Sequence, residues 1–498
     1  MIERRPFGID SNLATPLSAL ALTALAAGLY GVMLSVLDAG IYALALPLIL
    51  ALAAVILVRP EIGLVLMFLS APLETTYLDL GARIKPQHVL GIITMAGWAL
   101  QLVLDRQRAV RGTSLNIALF MMILAALISF IFNSQYISMG SSLFLLQLWF
   151  VAVIFLMANF ADRPDVLKRC FWAFVAAGAL EAVYAIIQAA GFYHDADPST
   201  SYGAVLQGGR PFGTFSEPDF FAPFLIGAFL LLLPFWGNRR LGSWRTPARL
   251  ALLLVLTASM LAMVRASWLG LLAGLAAFAW LKLSERGESQ KIAALLKHAA
   301  GVLAAAGAIA LVLAWVSPTA FSTMTTRAKN LVAVVEPENP HPTRAREIGQ
   351  TWSVIKGNAI TGAGIGTFAI TTEYGRRIAS APDHARAGVV GSGTPLSLLH
   401  DEGVIGLLAF VSVLGVLFWR LLGTLRTARP EWVPYLQGVF IAVVGLTVSS
   451  LFNNLFYFGF YWLVIALAAA LTEHARAAGG GSSDGRGADR KGLEKRCA

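Results

Sequence analysis

Arg265 stands near the middle of "LALLLVLTASMLAMVRASWLGLLAGLAAFAWLKL", residues 250 to 283, a stretch otherwise almost wholly apolar. A guanidinium there either snorkels to headgroups or binds something anionic, because an unpaired charge inside a bilayer is costly. Other groups able to do chemistry are sparse. Arg210 lies in "RPFGTFSEPD" with Glu217 and Asp219, and Arg344 and Arg346 lie in "RAREIGQTWSVIKG". Histidines, which titrate near neutrality, stand at His384 and at His400, the latter beside Asp401 and Glu402. Glu181, in "GALEAVYAIIQ", is a carboxylate well inside an apolar block. Such a group is either a structural partner or a protonated acid of the bundle, or a participant in catalysis or acceptor binding. No His, Asp or Glu cluster has metal-ligand spacing, and two cysteines, Cys170 and Cys497, exclude a disulfide framework; no metal and no cofactor is expected.

These groups need a scaffold, and the composition says which kind. The chain has 498 residues, 57% hydrophobic and 13% charged, where soluble domains run about 25% charged. Its apolar blocks of roughly 20 residues match a hydrocarbon core about 30 Å thick. Blocks that long and continuous indicate helices rather than barrel strands. The sequence therefore predicts an all-α polytopic membrane protein of about fourteen spans, near 14–37, 40–58, 61–77, 86–104, 115–133, 140–160, 167–190, 216–236, 247–264, 266–283, 298–316, 395–419, 432–451 and 453–473. That divides the chain into spans one to eleven (1–316), one large outer loop (317–394), spans twelve to fourteen (395–473) and a Gly-, Ser- and charge-rich tail (474–498) expected to be disordered.

Lysine and arginine set the orientation. "IERRP", "VRPE", "DRQRAVRG", "ADRPDVLKR", "GNRRLGSWRTPAR", "KLSERGESQKIAALLK", "RLLGTLRTARPE" and the tail alternate with the short turns "LDAG", "NSQYISMG" and "FNN", which carry no basic residue. The positive-inside rule then puts both termini in the cytoplasm and places Arg210, Arg265, Arg344 and Arg346 at the outer face. Within the large loop, Ile348, Trp352 and Ile355 fall on one helix face, a surface helix or a lid. "GAGIGTF" reads as a tight backbone turn, because no Gly-Lys-Ser/Thr follows it. Trp236, Trp280, Trp419 and Trp432 sit near span ends, as an interfacial belt requires.

Four segments in order resemble the bacterial O-antigen ligase and polymerase superfamily. "RPFGTFSEPDFFAPFLIGAFLLLLP" is similar to its Arg-x-x-Gly-Thr-Phe-x-x-Pro-Asn segment, with Asp219 in the Asn place. "LTASMLAMVRASWLG" resembles its Thr-x-Ser-Arg-Gly helix start. "RAREIGQTWSVIKGNAITGAGIGTF" resembles its Arg-x-x-x-Trp…Gly-x-Gly-x-Gly-x-Phe loop, with Ile348 at the aromatic position. "LSLLHDEGVIGLLAF" resembles its closing Leu-x-Glu-x-Gly-x-x-Gly. The family's usual His-Asn, about eleven residues before Gly403, is here Ser392 and Gly393.

The resemblance implies a metal-independent glycosyltransferase of the bacterial inner membrane with its site facing the periplasm. It implies transfer of a glycan from an undecaprenyl-pyrophosphate donor to an acceptor hydroxyl, polymerising O-antigen or exopolysaccharide repeats. A ligase to a lipid A core, a protein O-glycosylating enzyme or a transporter of lipid-linked sugars are the alternatives. The implied partners are the lipid-linked donor, a glycan or lipid acceptor and the bilayer, with no nucleic acid. In that reaction Arg210, Arg265 and Arg344 hold the diphosphate, since the guanidinium fork grips phosphate oxygens and never deprotonates. Glu217, Asp219, His384, Arg346 and Glu181 are expected to bind substrate, and His400 to supply or assist a base.

Overall fold

A computed structural model of the chain describes residues 40–74, 78–79, 83–105, 109–133, 137–189, 210–284, 342–368 and 393–494. Among these are thirteen α-helices and one pair of two-residue strands. The helices are α1 (Gly40–Val58), α2 (Pro60–Leu69), α3 (Pro86–Leu104), α4 (Asn116–Asn133), α5 (Ile137–Ala158), α6 (Pro164–Ala189), α7 (Pro218–Leu232), α8 (Arg245–Leu261), α9 (Arg265–Ser284), α10 (Pro342–Gly357), α11 (Thr394–Thr427), α12 (Val433–Ser450) and α13 (Gly459–Glu494). Strands β1 (Leu78–Asp79) and β2 (Arg83–Ile84) pair antiparallel. The chain is an all-α membrane protein: seven of the described helices are long and apolar enough to cross a bilayer. The expected spans 14–37 and 298–316 lie outside the described residues.

The expected span 61–77 is corrected. Helix α2 stops at Leu69, and ten residues of helix reach only about 15 Å. Pro72 cannot extend it, and residues 70–72 turn instead. Helix α13 runs on to Glu494, through the tail expected to be disordered.

Two compact units divide the chain. The smaller joins the described residues of 40–67 with those of 88–110. Its helices approach through glycine: a Cβ on Gly97 would lie 2.8 Å from the carbonyls of Ile56 and Leu57, and one on Gly63 would strike Thr94. Close approach of this kind is how helices associate where lipid is as apolar as their own side chains.

The larger unit holds the described residues of 68–87 and those from 111 onward. Helix α7, almost wholly buried, lies at its centre with α12 and α9 around it. Gly270 of α9 and Gly445 of α12 face one another, each too close to the other's carbonyl for a Cβ. The unit has two distinct ends. At one, Arg111 pairs with Asp162, Ser114 donates to Glu473, His474 bonds the Ala161 carbonyl, Lys282 donates to Gln437, and Lys168 lies over Trp432. These belong to the Arg- and Lys-bearing connections. Trp236, Trp280 and Trp419 are exposed as a belt requires, whereas Trp432 is buried beneath Lys168 and His474. The opposite end gathers 70–74, 83–87, 210–219, 358–368, 393–403 and 451–458.

Candidate active site

The "RPFGTF" segment is fastened to α6 by two side chains on one helix face. Glu181 and Gln188 are seven residues apart, two turns along the helix. Gln188 accepts from the Gly213 N–H at 2.9 Å and donates to the Gly213 carbonyl at 3.2 Å. Glu181 Oε2 accepts the Thr214 N–H at 3.0 Å, and Oε1 lies 2.8 Å from the Thr214 hydroxyl, which also lies 2.9 Å from the Pro72 carbonyl. The intramembrane carboxylate thus holds a loop. Gly213 is required there: its φ is +59°, and a Cβ would fall 2.2 Å from Glu181 Oε2.

That anchoring delivers three charges to the start of α7. Arg210 Nη1 meets Asp219 Oδ1 at 3.4 Å, with Asp219 nearly half exposed. Glu217 is the N-cap residue, extended (φ −149°, ψ 147°), and its side chain makes no capping bond. Burial pushes the Glu217 carboxyl up to about 7; Asp219 adds to the rise and Arg210 opposes it. Asn453 donates to the Asp219 carbonyl at 2.8 Å, and Phe220 stacks on Phe458 at 4.0 Å. Phe458 also carries Lys85 over its ring, itself paired with the buried Glu74. Glu74 in turn accepts from Gln87 and from the Gly459 N–H.

Arg265 is the first residue of α9. The chain reaches it through Met263, whose φ of +53° makes it the one non-glycine residue with positive φ among those described. No described carboxylate pairs with Arg265, in contrast to Arg210. Two buried donors follow it, Ser267 Oγ and Trp268 Nε1, without a hydrogen-bond partner among the described residues. Ser449, whose Cβ a Cβ on Gly270 would approach to 3.1 Å, has an unpartnered hydroxyl as well. Helix α12 ends one residue later, at Ser450, and leads into 451–458.

Helix α11 breaks at Gly403 (φ +69°, ψ −165°). A break in a membrane helix frees backbone groups that must find partners within the protein. Residues 359–364 supply them. Val404 and Ile405 N–H donate to the carbonyls of Ala359 and Ile360, while Ala363 and Gly364 N–H donate to those of His400 and Asp401. The fit tolerates no side chain: a Cβ on Gly403 would meet Ile360 O at 2.2 Å, and one on Gly362 would meet Asp401 O at 2.3 Å. Gly362, Gly364 and Gly366 all have positive φ, so "GAGIGTF" is the tight turn expected of it.

Behind this turn lies the histidine. His400 is fully buried, with Nδ1 2.7 Å from Asp401 Oδ1 and Phe368 edge-on at 5.3 Å. Asp401 also accepts the N–H groups of Gly366 and Phe368. A neighbouring carboxylate does orient the ring, as expected, and it ties the ring to the glycine turn. Glu402 is joined to Gln147 of α5, and Ser129 of α4 bonds the Asp401 carbonyl.

The chain matches no family model and no curated protein.

Of the residues singled out in the sequence, Arg210, Glu217, Asp219 and Glu181 belong to one assembly, and Arg265 begins a helix packed beside it. His400 sits at the helix break. Arg344 and Arg346 lie on α10, the helix that leads into the glycine turn, and their side chains lie outside what is described. His384 and Ser392 lie outside the described residues. On α10, Ile355 is buried, whereas Ile348 and Trp352 are about half exposed. Gln188, Asn453, Gln147 and Ser129 also build this end, and the sequence does not single them out. The polar Gln188 within an apolar block, in register with Glu181, is a usable signal; "FNN" reads in the sequence only as a turn lacking charge.

Proposed function

We propose that the protein is a membrane glycosyltransferase that takes a glycan from a polyprenyl-diphosphate donor at the outer face and transfers it to an acceptor hydroxyl. The observation that carries this reading is convergence. Segment 210–219 is bonded to 451–458, which holds 393–394 through Asn454 and Thr394, and the glycine turn closes on 400–405. Helix α9, starting at Arg265, packs against the end of α12 that feeds the same connection. Three resemblance-bearing segments thus meet at one end of the larger unit and the fourth begins beside them, opposite the basic end. With positive charge facing the cytoplasm, the meeting point is periplasmic.

The chemistry follows from the groups present. As the sugar leaves, negative charge grows on the bridging oxygen of the diphosphate. Arg210 is prepositioned by Asp219, and Arg265 opens helix α9 with no described carboxylate paired to it. Fixed donors in a partly dry mouth stabilise such charge more than water does. Arg344 and Arg346, on a helix held in register by the glycine turn, complete the basic set. That residues 317–394 form a large periplasmic loop is part of this proposal. Repeat-unit polymerisation is preferred over ligation, because Ser392 occupies the place of the ligase histidine.

The broken helix favours a second reading, a transporter of lipid-linked sugars, since transporters bind substrate at such breaks. Here, however, the freed backbone groups at 400, 401, 404 and 405 are already satisfied by 359–364. Deletion followed by glycan analysis tests the assignment. Loss of a polymerase leaves single repeats, loss of a ligase leaves long chains on the carrier lipid, and unchanged glycans overturn both.

A further inference from the structure

Transfer to a hydroxyl releases one proton, and some group at the mouth must accept it. Among the described side chains at this end, most candidates are engaged. Glu181 holds Thr214, Glu74 holds Lys85 and Asp219 holds Arg210, while Glu402 is buried out of an acceptor's reach, with one oxygen joined to Gln147 and the other unpartnered. Asp401 accepts two backbone N–H groups and the His400 ring, and His400 is fully buried.

Glu217 is different. It is only partly exposed, and no described group donates a hydrogen bond to its carboxylate or pairs with it. Pro218 follows it, so the first helical position has no N–H to offer. Its extended backbone stands two residues before Asp219, which pairs with Arg210, and both charges act on it. From the elements packed against this segment, the charged groups are Glu181, Glu74 and Lys85, each already engaged as above, and Arg265 at the start of α9.

We infer that Glu217 is the general base of the transfer, taking the proton of the acceptor hydroxyl beside Arg210. This rests on the transferase reading. An acceptor oxygen lone pair bonds to the anomeric carbon. The bond from that carbon to the diphosphate oxygen breaks and leaves its electron pair on that oxygen, next to Arg210. The acceptor's proton goes to the Glu217 carboxylate and from there to water. A carboxyl pushed up to about 7 by burial is matched to this task, being more basic than an ordinary carboxylate and still partly ionised at neutrality.

The test uses purified full-length protein, a polyprenyl-diphosphate oligosaccharide and pH scanned across 7. Wild-type turnover should rise with pH through an apparent pKa near 7. Glu217→Gln should lose about 10²–10⁴-fold in kcat and lose the rising limb while its KM for the donor holds. Glu217→Asp should keep a limb at a displaced pKa, which a merely structural role would not produce. A Glu217→Gln enzyme with the wild-type limb, or a limb abolished by His400→Ala alone, overturns the inference and leaves the transferase reading standing. A wild-type protein that transfers from no such donor overturns the transferase reading itself.

Discussion

Gly213 shows how narrowly the mouth is specified. Its left-handed backbone lets the Thr214 N–H and hydroxyl reach Glu181, and the Cα leaves no room for a methyl group. Gly213→Ala should destabilise the protein by about 1–3 kcal/mol, visible as a lowered midpoint of thermal unfolding in detergent, and should impair activity by displacing Arg210. A Gly213→Ala variant with the wild-type midpoint and rate would mean that the seating of this loop does not matter. The sequence displays Arg210, Gly213 and Thr214 as a pattern and Glu181 as an anomaly. It does not connect them, because the partners are 33 residues apart and no local periodicity links a helix face to a loop beyond its end. Glu181, open in the sequence to being an arginine partner, a protonated acid, or a catalytic or acceptor-binding group, is bonded to Thr214.

Among the elements, the pairing of 359–364 with the break in α11 has the clearest consequence. It makes α10, which carries Arg344 and Arg346, and the half-helix bearing His400 parts of one hydrogen-bonded body. Gly403→Ala should pry them apart, because its Cβ would lie 2.2 Å from the Ile360 carbonyl at a φ that alanine avoids. The expected result is faster proteolysis within 358–368 and loss of transfer with the protein still inserted; wild-type protease resistance would contradict it. The helices themselves are legible in the sequence, since apolar block length largely dictates them. The break is not. Glycine is common in membrane helices, and only the distant 359–364 backbone marks Gly403 as a discontinuity. The shortness of α2 is partly legible in Pro72 and Glu74, and Glu74 also anchors the Lys85 and Gly459 contacts.

The larger unit sorts its chemistry by end: basic connections with the Arg111–Asp162 pair at one, Arg210 with its carboxylates and Arg265 at the other. The alternation of Lys and Arg makes this sorting readable from the sequence. The resemblance-bearing segments are contiguous with it, and their meeting on 451–458 is what a string of separate motifs could not display. The proposed transfer requires that those arginines grip a diphosphate by their forks. Purified protein in vesicles, supplied with a polyprenyl-diphosphate oligosaccharide and an acceptor glycan, measures this through the polyprenyl diphosphate released. Arg265→Lys, which keeps the charge and loses the fork, should lose most of the release while inserting normally, as should Arg210→Ala. Release at the wild-type rate from well-inserted Arg265→Lys and Arg210→Ala proteins would contradict the diphosphate grip and return Arg265 to a side chain that merely reaches for the headgroups.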